Sequence, residues 1–464
     1  MGRIAKFAGV VAITTLSAAV SQVSHAADDL YDILELALQN DPTLRQAEAN
    51  YRANRENMIQ SRANLMPTVS ANGNTARLTS GPSTETSGIN PFTGQFQVQE
   101  AHSFRPGINN HGWGVNLSQS LVNLSQWYGF KSARANDKAA AVNLAAQEQD
   151  LILRVASAYF DVLRAIDLLD TNVQEEEAAQ RSLEQTQQRE EVGLVAITDV
   201  YDAQAAYDLA VNTTILQRDF LHSRYEALEA ITGRSHPEIM PLAAEFPIVS
   251  AEGSLIEWEN QADDNSLAVA AAEFTLDAQR NTLRARKSDH LPTIDLAGNF
   301  AHNVTKPIIQ QGIQIGGGAF DRTSLALNFS IPLYTGGAIS SRRRAAEYNV
   351  IAAKESLEFT KRQLTQNIRN AYRRVNTDVM VIAQRNQSIL SAQTALEATE
   401  LGAEVGTRNI VEVLRARENL YRALRQYADA RYTYVVDSLL LKQTAGILTP
   451  QDVIELNEWL AEAE

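Results

Sequence analysis

Apolar residues recur at spacings of three and four along much of the chain; Leu151, Val155, Ala158, Val162, Ile166 and Leu169 form one such stripe. This is the period of a coiled-coil-type helix that buries one face against partner helices. Neither glycine nor proline interrupts the chain between Gly129 and Gly193, or between Gly337 and Gly402. Each run is long enough for about 95 Å of continuous helix at 1.5 Å per residue. A second breaker-free stretch follows each, 194–232 and 407–445, closed by Gly233 and Gly446 where glycine commonly stops a helix. Helical segments at 43–65 and about 267–291 supply roughly another 35 Å each. The pattern therefore predicts two shorter helices stacked end to end beside each long one.

After Pro67 and Pro292 the period changes to two. Leu325, Leu327, Phe329 and Ile331 fall on one face of a segment whose other face carries Ser324, Ala326, Asn328 and Ser330. Trp113, Val115, Leu117 and Leu121 alternate less perfectly, interrupted by Gln119, and Ile294, Leu296 and Phe300 form a third set. Strands of about ten residues with one apolar face suit a membrane barrel, although a soluble two-faced sheet alternates in the same way. The glycine-, proline- and serine-rich stretches 79–110 and 305–321 read as loops. Within the second, Gly316-Gly317-Gly318 lacks the lysine and hydroxyl residue of a phosphate loop. Four strands cannot close a barrel, and lipid does not tolerate open edges. The chain must oligomerise; strand arithmetic does not choose between two copies and three.

The two halves match each other in order. Ser157-Ala158-Tyr159 pairs with Asn370-Ala371-Tyr372, Ile231-Thr232-Gly233 with Thr444-Ala445-Gly446, and Leu65-Met66-Pro67-Thr68-Val69 with His290-Leu291-Pro292-Thr293-Ile294. Internal repetition divides the chain into a first unit at 27–233, a second at 234–446 and a C-terminal tail at 447–464. Residues 1–26 read as a cleaved secretory signal: Arg3 and Lys6 precede an apolar stretch, and Ser24-His25-Ala26 is a small-x-small cleavage site. No later segment is apolar for long enough to be a transmembrane helix.

Composition narrows the chemistry. A net charge of −14 disfavours nucleic acid as a partner. The chain has no cysteine, which removes disulfides, thiolate metal sites and an acylated N-terminal cysteine. The histidines form no HExxH pair, and no GxSxG elbow or nucleotide-binding fingerprint is present. No enzyme, cofactor or metal is expected. A periplasmic coiled-coil adaptor or scaffold is the other reading of long helical hairpins, and would be expected to lack two membrane-type β-hairpins.

The paired segments Val192-Gly193-Leu194-Val195-Ala196-Ile197-Thr198-Asp199-Val200 and Val405-Gly406-Thr407-Arg408-Asn409-Ile410-Val411-Glu412-Val413-Leu414 resemble the TolC family of outer-membrane efflux proteins. Asn40-Asp41-Pro42, Leu291-Pro292-Thr293 and Ile331-Pro332-Leu333-Tyr334-Thr335-Gly336-Gly337 support the resemblance, which spans the mature chain. The absence of cysteine looks like the non-lipidated branch. The resemblance implies a mainly helical protomer that gives four β-strands to a trimeric twelve-stranded outer-membrane barrel and four helical columns to a twelve-helix periplasmic tunnel. It further implies a homotrimer in outer-membrane lipid, working with a periplasmic adaptor and an inner-membrane transporter of ABC, RND or MFS type in drug efflux or type I protein secretion.

Site residues follow from the same resemblance. Gly193 and Gly406 fall at the adaptor-docking tip, where a helix must reverse. Thr198 and Asp199 are expected to face Arg408 of the other hairpin and hold the closed state. The family's tyrosine partner for the aspartate falls at Ala403. Its acidic aperture positions fall at Glu412 and Arg415, and Arg415 is expected to neutralise Glu412 as an i,i+3 pair. Two charge runs stand apart: Glu175-Glu176-Glu177, read as a solvated face or acidic entrance, and Arg342-Arg343-Arg344, close enough to a strand to meet anionic headgroups.

Overall fold

The computed structural model describes residues 27–78, 86–99, 108–243, 245–310 and 313–460. The expected signal at 1–26 lies outside them. The first unit runs α1 (Leu30–Asn40), α2 (Pro42–Ala63), β1 (Thr68–Leu78), a short hairpin β2 (Thr86–Ile89) and β3 (Phe96–Gln99), β4 (Ile108–Val122), α3 (Leu124–Glu191) and α4 (Ile197–Thr232). The second repeats that order: α5 (Leu255–Asn265), α6 (Leu267–Ser288), β5 (Thr293–Thr305), hairpin β6 (Ile308–Gln310) and β7 (Ile313–Ile315), β8 (Gly318–Ser330), α7 (Ala338–Glu404) and α8 (Ile410–Thr444). A last helix, α9 (Pro450–Asn457), follows.

Short polar side chains start these helices where the sequence places them. Asp41 accepts from the Leu44 amide at 2.7 Å with Pro42 in the first turn of α2, Asn123 accepts from Gln126 at the start of α3, and Asn409 from Glu412 at the start of α8. α3 has 68 residues and α7 has 67, each about 100 Å at 1.5 Å per residue. Both contain a glycine expected to bound them, Gly129 and Gly402. One helical glycine costs only about 1 kcal/mol, which packing along so long a helix absorbs. α2 and α4 both lie along α3, and α8 lies along α7, which also packs against α6. The stacked-column arrangement read from the sequence is the arrangement observed.

β1, β4, β5 and β8 form one antiparallel sheet in that order. Its two faces differ in chemistry. Val69, Leu117, Gly298 and Leu325 align across one face, with Ala71, Val115, Phe300 and Thr323 in the next row and Leu296 opposite Leu327. On the other face the Asn116 amide donates to Asn72 at 2.9 Å and the Asn299 amide donates to Asn116 at 2.7 Å, a ladder of polar side chains across three strands. One apolar and one polar face suit lipid outside and water inside. Among the described residues no helix is long and apolar enough to cross a membrane. The stretches expected to be plain loops carry the two short hairpins, and β8 begins within the second of them, at Gly318.

The best-packed layer lies midway along the helices, where α1, α9 and the connecting residues 234–243 and 245–254 wrap α3 and α8. Tyr159 and Phe160 are fully buried there with edge-to-face rings 5.5 Å apart, and the Tyr159 hydroxyl donates to the Met240 carbonyl at 2.6 Å. Here α3 buries far more than one stripe, because α1, α4, α8 and α9 all press on it. The segment read as a tail docks through α9, whose Val453 is buried. Residues at the start of the second unit tie back to the first: Arg234 pairs with Asp28 at 2.8 Å, and the buried His236 ring contacts Asp28 at 2.7 Å and Thr232 at 2.8 Å.

Candidate functional site

Each unit ends away from the sheet in a tight helical reversal. At the first, Gly193 has φ +75°; its amide donates to Glu190 and the Leu194 amide donates to Arg189, both at 2.8 Å. At the second, Gly406 has φ +77°; its amide donates to Ala403 at 3.2 Å and the Thr407 amide to Gly402 at 2.8 Å. This paired closure satisfies the last carbonyls of the long helix and requires a left-handed residue. Two turns of one geometry thus present two equivalent tips.

Beyond the turns the copies diverge. Arg408 lies over Gly402, where an added Cβ would sit 2.7 Å from the Arg408 side chain. From there its guanidinium reaches Glu412 at 2.6 Å. The expected partner for Glu412 was Arg415, but Arg415 makes no ion pair among the described residues, although it shares the α7–α8 groove with Glu412. Both spacings are sterically possible on a helix; Arg408 makes the pair, its side chain passing over Gly402. Thr198 and Asp199 sit in the first turn of α4, Thr198 exposed and Asp199 half-buried. Within one chain nothing links either of them to Arg408 among the described residues, so the expected lock is not made inside the protomer. Ala403 lines the groove between the two hairpins and offers no hydroxyl.

A set of contacts not foreseen from the sequence joins the hairpins above that groove. Arg417, Tyr421 and Arg425 stand at four-residue intervals on α8. Arg417 donates to the Ala178 carbonyl and to Glu400, both at 2.8 Å. The Tyr421 hydroxyl donates to the Gln174 carbonyl at 3.1 Å, and Arg425 donates to Asn172 at 2.9 Å and to Glu175. Further up, the Tyr432 hydroxyl donates to Asp167 at 2.8 Å, in a site where burial pushes the Asp167 carboxyl above its ordinary value. Glu175, expected to be a solvated charge, is mostly buried and is a rung of this seam. Arg417 and Tyr421 also line a polar groove of about 770 Å³ between the hairpins that reaches the Val192 turn. The spacing of four on α8 was visible in the sequence; its partners on α3 were not.

An open four-stranded sheet, apolar on one face, carried on a bundle about 100 Å long with two turned tips, is matched by known proteins. The family described as "Outer membrane efflux protein" matches residues 33–234 and 258–446, one segment for each structural unit. The outer membrane protein TolC of Vibrio cholerae is 36% identical over 458 residues, covering 97% of this chain and 98% of that protein. The chain belongs to the outer membrane efflux protein family. The proteases secretion protein PrtF of Dickeya chrysanthemi is 25% identical over 97% of this chain and 95% of its own length. Among solved structures, the Campylobacter jejuni CmeC outer membrane channel superposes with a TM-score of 0.74 at 17% identity, covering 93% of this chain and 90% of that one. The protein is an outer-membrane channel of this efflux family, with helices that extend into the periplasm. The soluble adaptor reading is set aside.

Proposed function

We propose that three copies of the chain close a ring, giving a twelve-stranded barrel continued by a twelve-helix tunnel. The observation that carries this reading is the open sheet: β1 and β8 each have one unpaired edge beneath an apolar outer face, which lipid does not tolerate. The helices lie in the same sequence as the strands they adjoin, α2, α3, α6 and α7, so one rotation would close both layers. Apolar side chains more than half exposed gather on the edge helices, Tyr201, Leu209 and Leu216 on α4 and Tyr348, Phe359 and Met380 on α7. Contact between copies would cover them.

In this assembly the channel is the exit duct of a machine that spans the envelope. A periplasmic adaptor docks at the Gly193 and Gly406 tips, and an inner-membrane transporter of ABC, RND or MFS type supplies the energy. Relatives include a proteases secretion protein, and the matching family is described as outer membrane efflux protein, which supports one duct serving efflux and protein secretion. The periplasmic end is the gate. Thr198 and Asp199 of one copy would meet Arg408 of the next, and Glu412 with Arg415 would ring the aperture.

Single-channel recording on the purified protein tests this reading. Three Glu412 carboxylates in a narrow, low-dielectric aperture favour cations, and the Arg408 pair blunts them. Glu412→Gln is therefore expected to lower cation preference, and Arg408→Ala and Arg415→Ala are each expected to raise it, because each removes a cation beside the Glu412 ring. Absence of conductance would refute the channel assignment. Unchanged selectivity in both Glu412→Gln and Arg415→Ala would refute the aperture assignment.

A further inference from the structure

We propose that the helix ends next to the sheet form a cationic and aromatic collar that binds the headgroups of anionic phospholipids in the periplasmic leaflet. Three helix ends share one level, because Asp289 just after α6 accepts from Ser125 of α3 at 2.6 Å and lies 3.9 Å from Arg342 of α7 and 3.7 Å from Arg286. The local charge there opposes that of the chain, which is −14 overall. Asp289 and Glu347 engage Arg286, Arg342 and Arg343. Arg344 and Lys287 are exposed and have no ion pair among the described residues.

The arrangement points these charges toward lipid. Consecutive residues on a helix are about 100° apart, so Arg342-Arg343-Arg344 spans more than half the circumference of α7 and cannot be hidden on one face. The apolar strand face of Leu325, Leu327, Phe329 and Ile331 runs directly into Leu333 and Tyr334, both about nine-tenths exposed, and then into the first turns of α7. On α3, Lys131 stands 5.4 Å from the Trp127 ring and 5.5 Å from the Tyr128 ring. Aromatic rings with basic side chains just beyond an apolar band mark a membrane–water interface, and unpaired lysine and arginine at that depth attract anionic headgroups. The helices extend into the periplasm, so the leaflet met by this collar is the periplasmic one.

Native mass spectrometry of the purified assembly tests the proposal. The protein is presented with equal amounts of dioleoylphosphatidylglycerol and dioleoylphosphatidylcholine. The wild type is expected to retain the anionic lipid at least about five-fold over the zwitterionic one, the preference that a single surface cation supplies. R342Q/R343Q/R344Q is expected to bring the ratio near unity. Arg344→Gln alone, which removes no ion pair among the described residues, is expected to lower it about two-fold or more, and keeps the test valid if the triple variant does not assemble. Arg77→Gln, at the far end of β1, is expected to leave it unchanged. Equal retention by the wild type, a preference that survives the Arg344 and triple substitutions, or an equal loss on Arg77→Gln would overturn the proposal. Displacement of the lipid by soluble glycerol phosphate at matching concentration would also overturn it, by assigning the site to a free phosphate.

Discussion

Replacing Arg154 with methionine is expected to destabilise the folded chain by about 3 kcal/mol, the lower end of what breaking a buried ion pair costs. Asp41 is 2% exposed, and its two carboxylate oxygens accept from the Arg154 guanidinium at 3.1 Å each while one of them also caps α2. Methionine leaves the carboxylate inside without its cation. Burial by itself raises the Asp41 carboxyl, but the Arg154 and Thr43 hydrogen bonds and the Leu44 amide outweigh it and hold the group below its ordinary 3.8. A carboxyl lowered on folding contributes stability above its unfolded value and loses it as pH falls through the folded value. The difference between variant and wild type should therefore be full at neutral pH and shrink once the medium is acid enough to protonate Asp41. Denaturant midpoints read by tryptophan fluorescence, at neutral and acid pH, check this; equal midpoints at neutral pH would contradict it. The same contacts explain why Asn40-Asp41-Pro42 is worth recognising: the aspartate starts a helix and anchors it to α3.

The second large effect is expected at the seam between the hairpins. Arg425→Met removes charge-assisted hydrogen bonds to Glu175 and Asn172, worth about 1.5–3 kcal/mol to a charged group, and leaves Glu175 mostly buried without a cation. With that rung gone, α8 is held to α3 by Arg417, Tyr421 and Tyr432, and the tip should open more often. Cells producing this variant should become more sensitive to a hydrophilic antibiotic too large for general porins. Arg422→Met is the control, because Arg422 is half exposed and among the described residues pairs only within its own helix, with Glu418; such pairs contribute less than about 0.5 kcal/mol. Equal sensitivity of the two variants would show that the seam does not restrain the tip.

What was legible in the sequence follows from the range of the forces involved. The membrane strands could be read because Leu325, Leu327, Phe329 and Ile331 obey a period of two, and the columns could be read because long runs exclude glycine and proline. α1, α5 and α9 went unread because they have only 8 to 11 residues, too few for periodicity to stand out, and their burial comes from distant parts of α3, α7 and α8. The site was legible in part. Both tip glycines could be placed, since positive φ at a helical reversal leaves little choice of residue. The partner of Glu412 could not, because i,i+3 and i,i+4 pairs are both open on a helix. Nor could the seam, whose arginines find acceptors 239 to 253 residues away.

The central claim is that copies of this chain close into a three-membered ring, edge strand to edge strand. Because the chain contains no cysteine, cross-linking can test it without background. One cysteine is placed at Ala71 on β1 and a second is scanned along β8 from Ser324 to Ser330, followed by oxidation in outer membranes and denaturing electrophoresis. At a subset of β8 positions the account predicts a ladder of covalent species ending at three copies. A ladder ending at two copies, or no cross-link at any position in protein shown to be in the outer membrane, would contradict it.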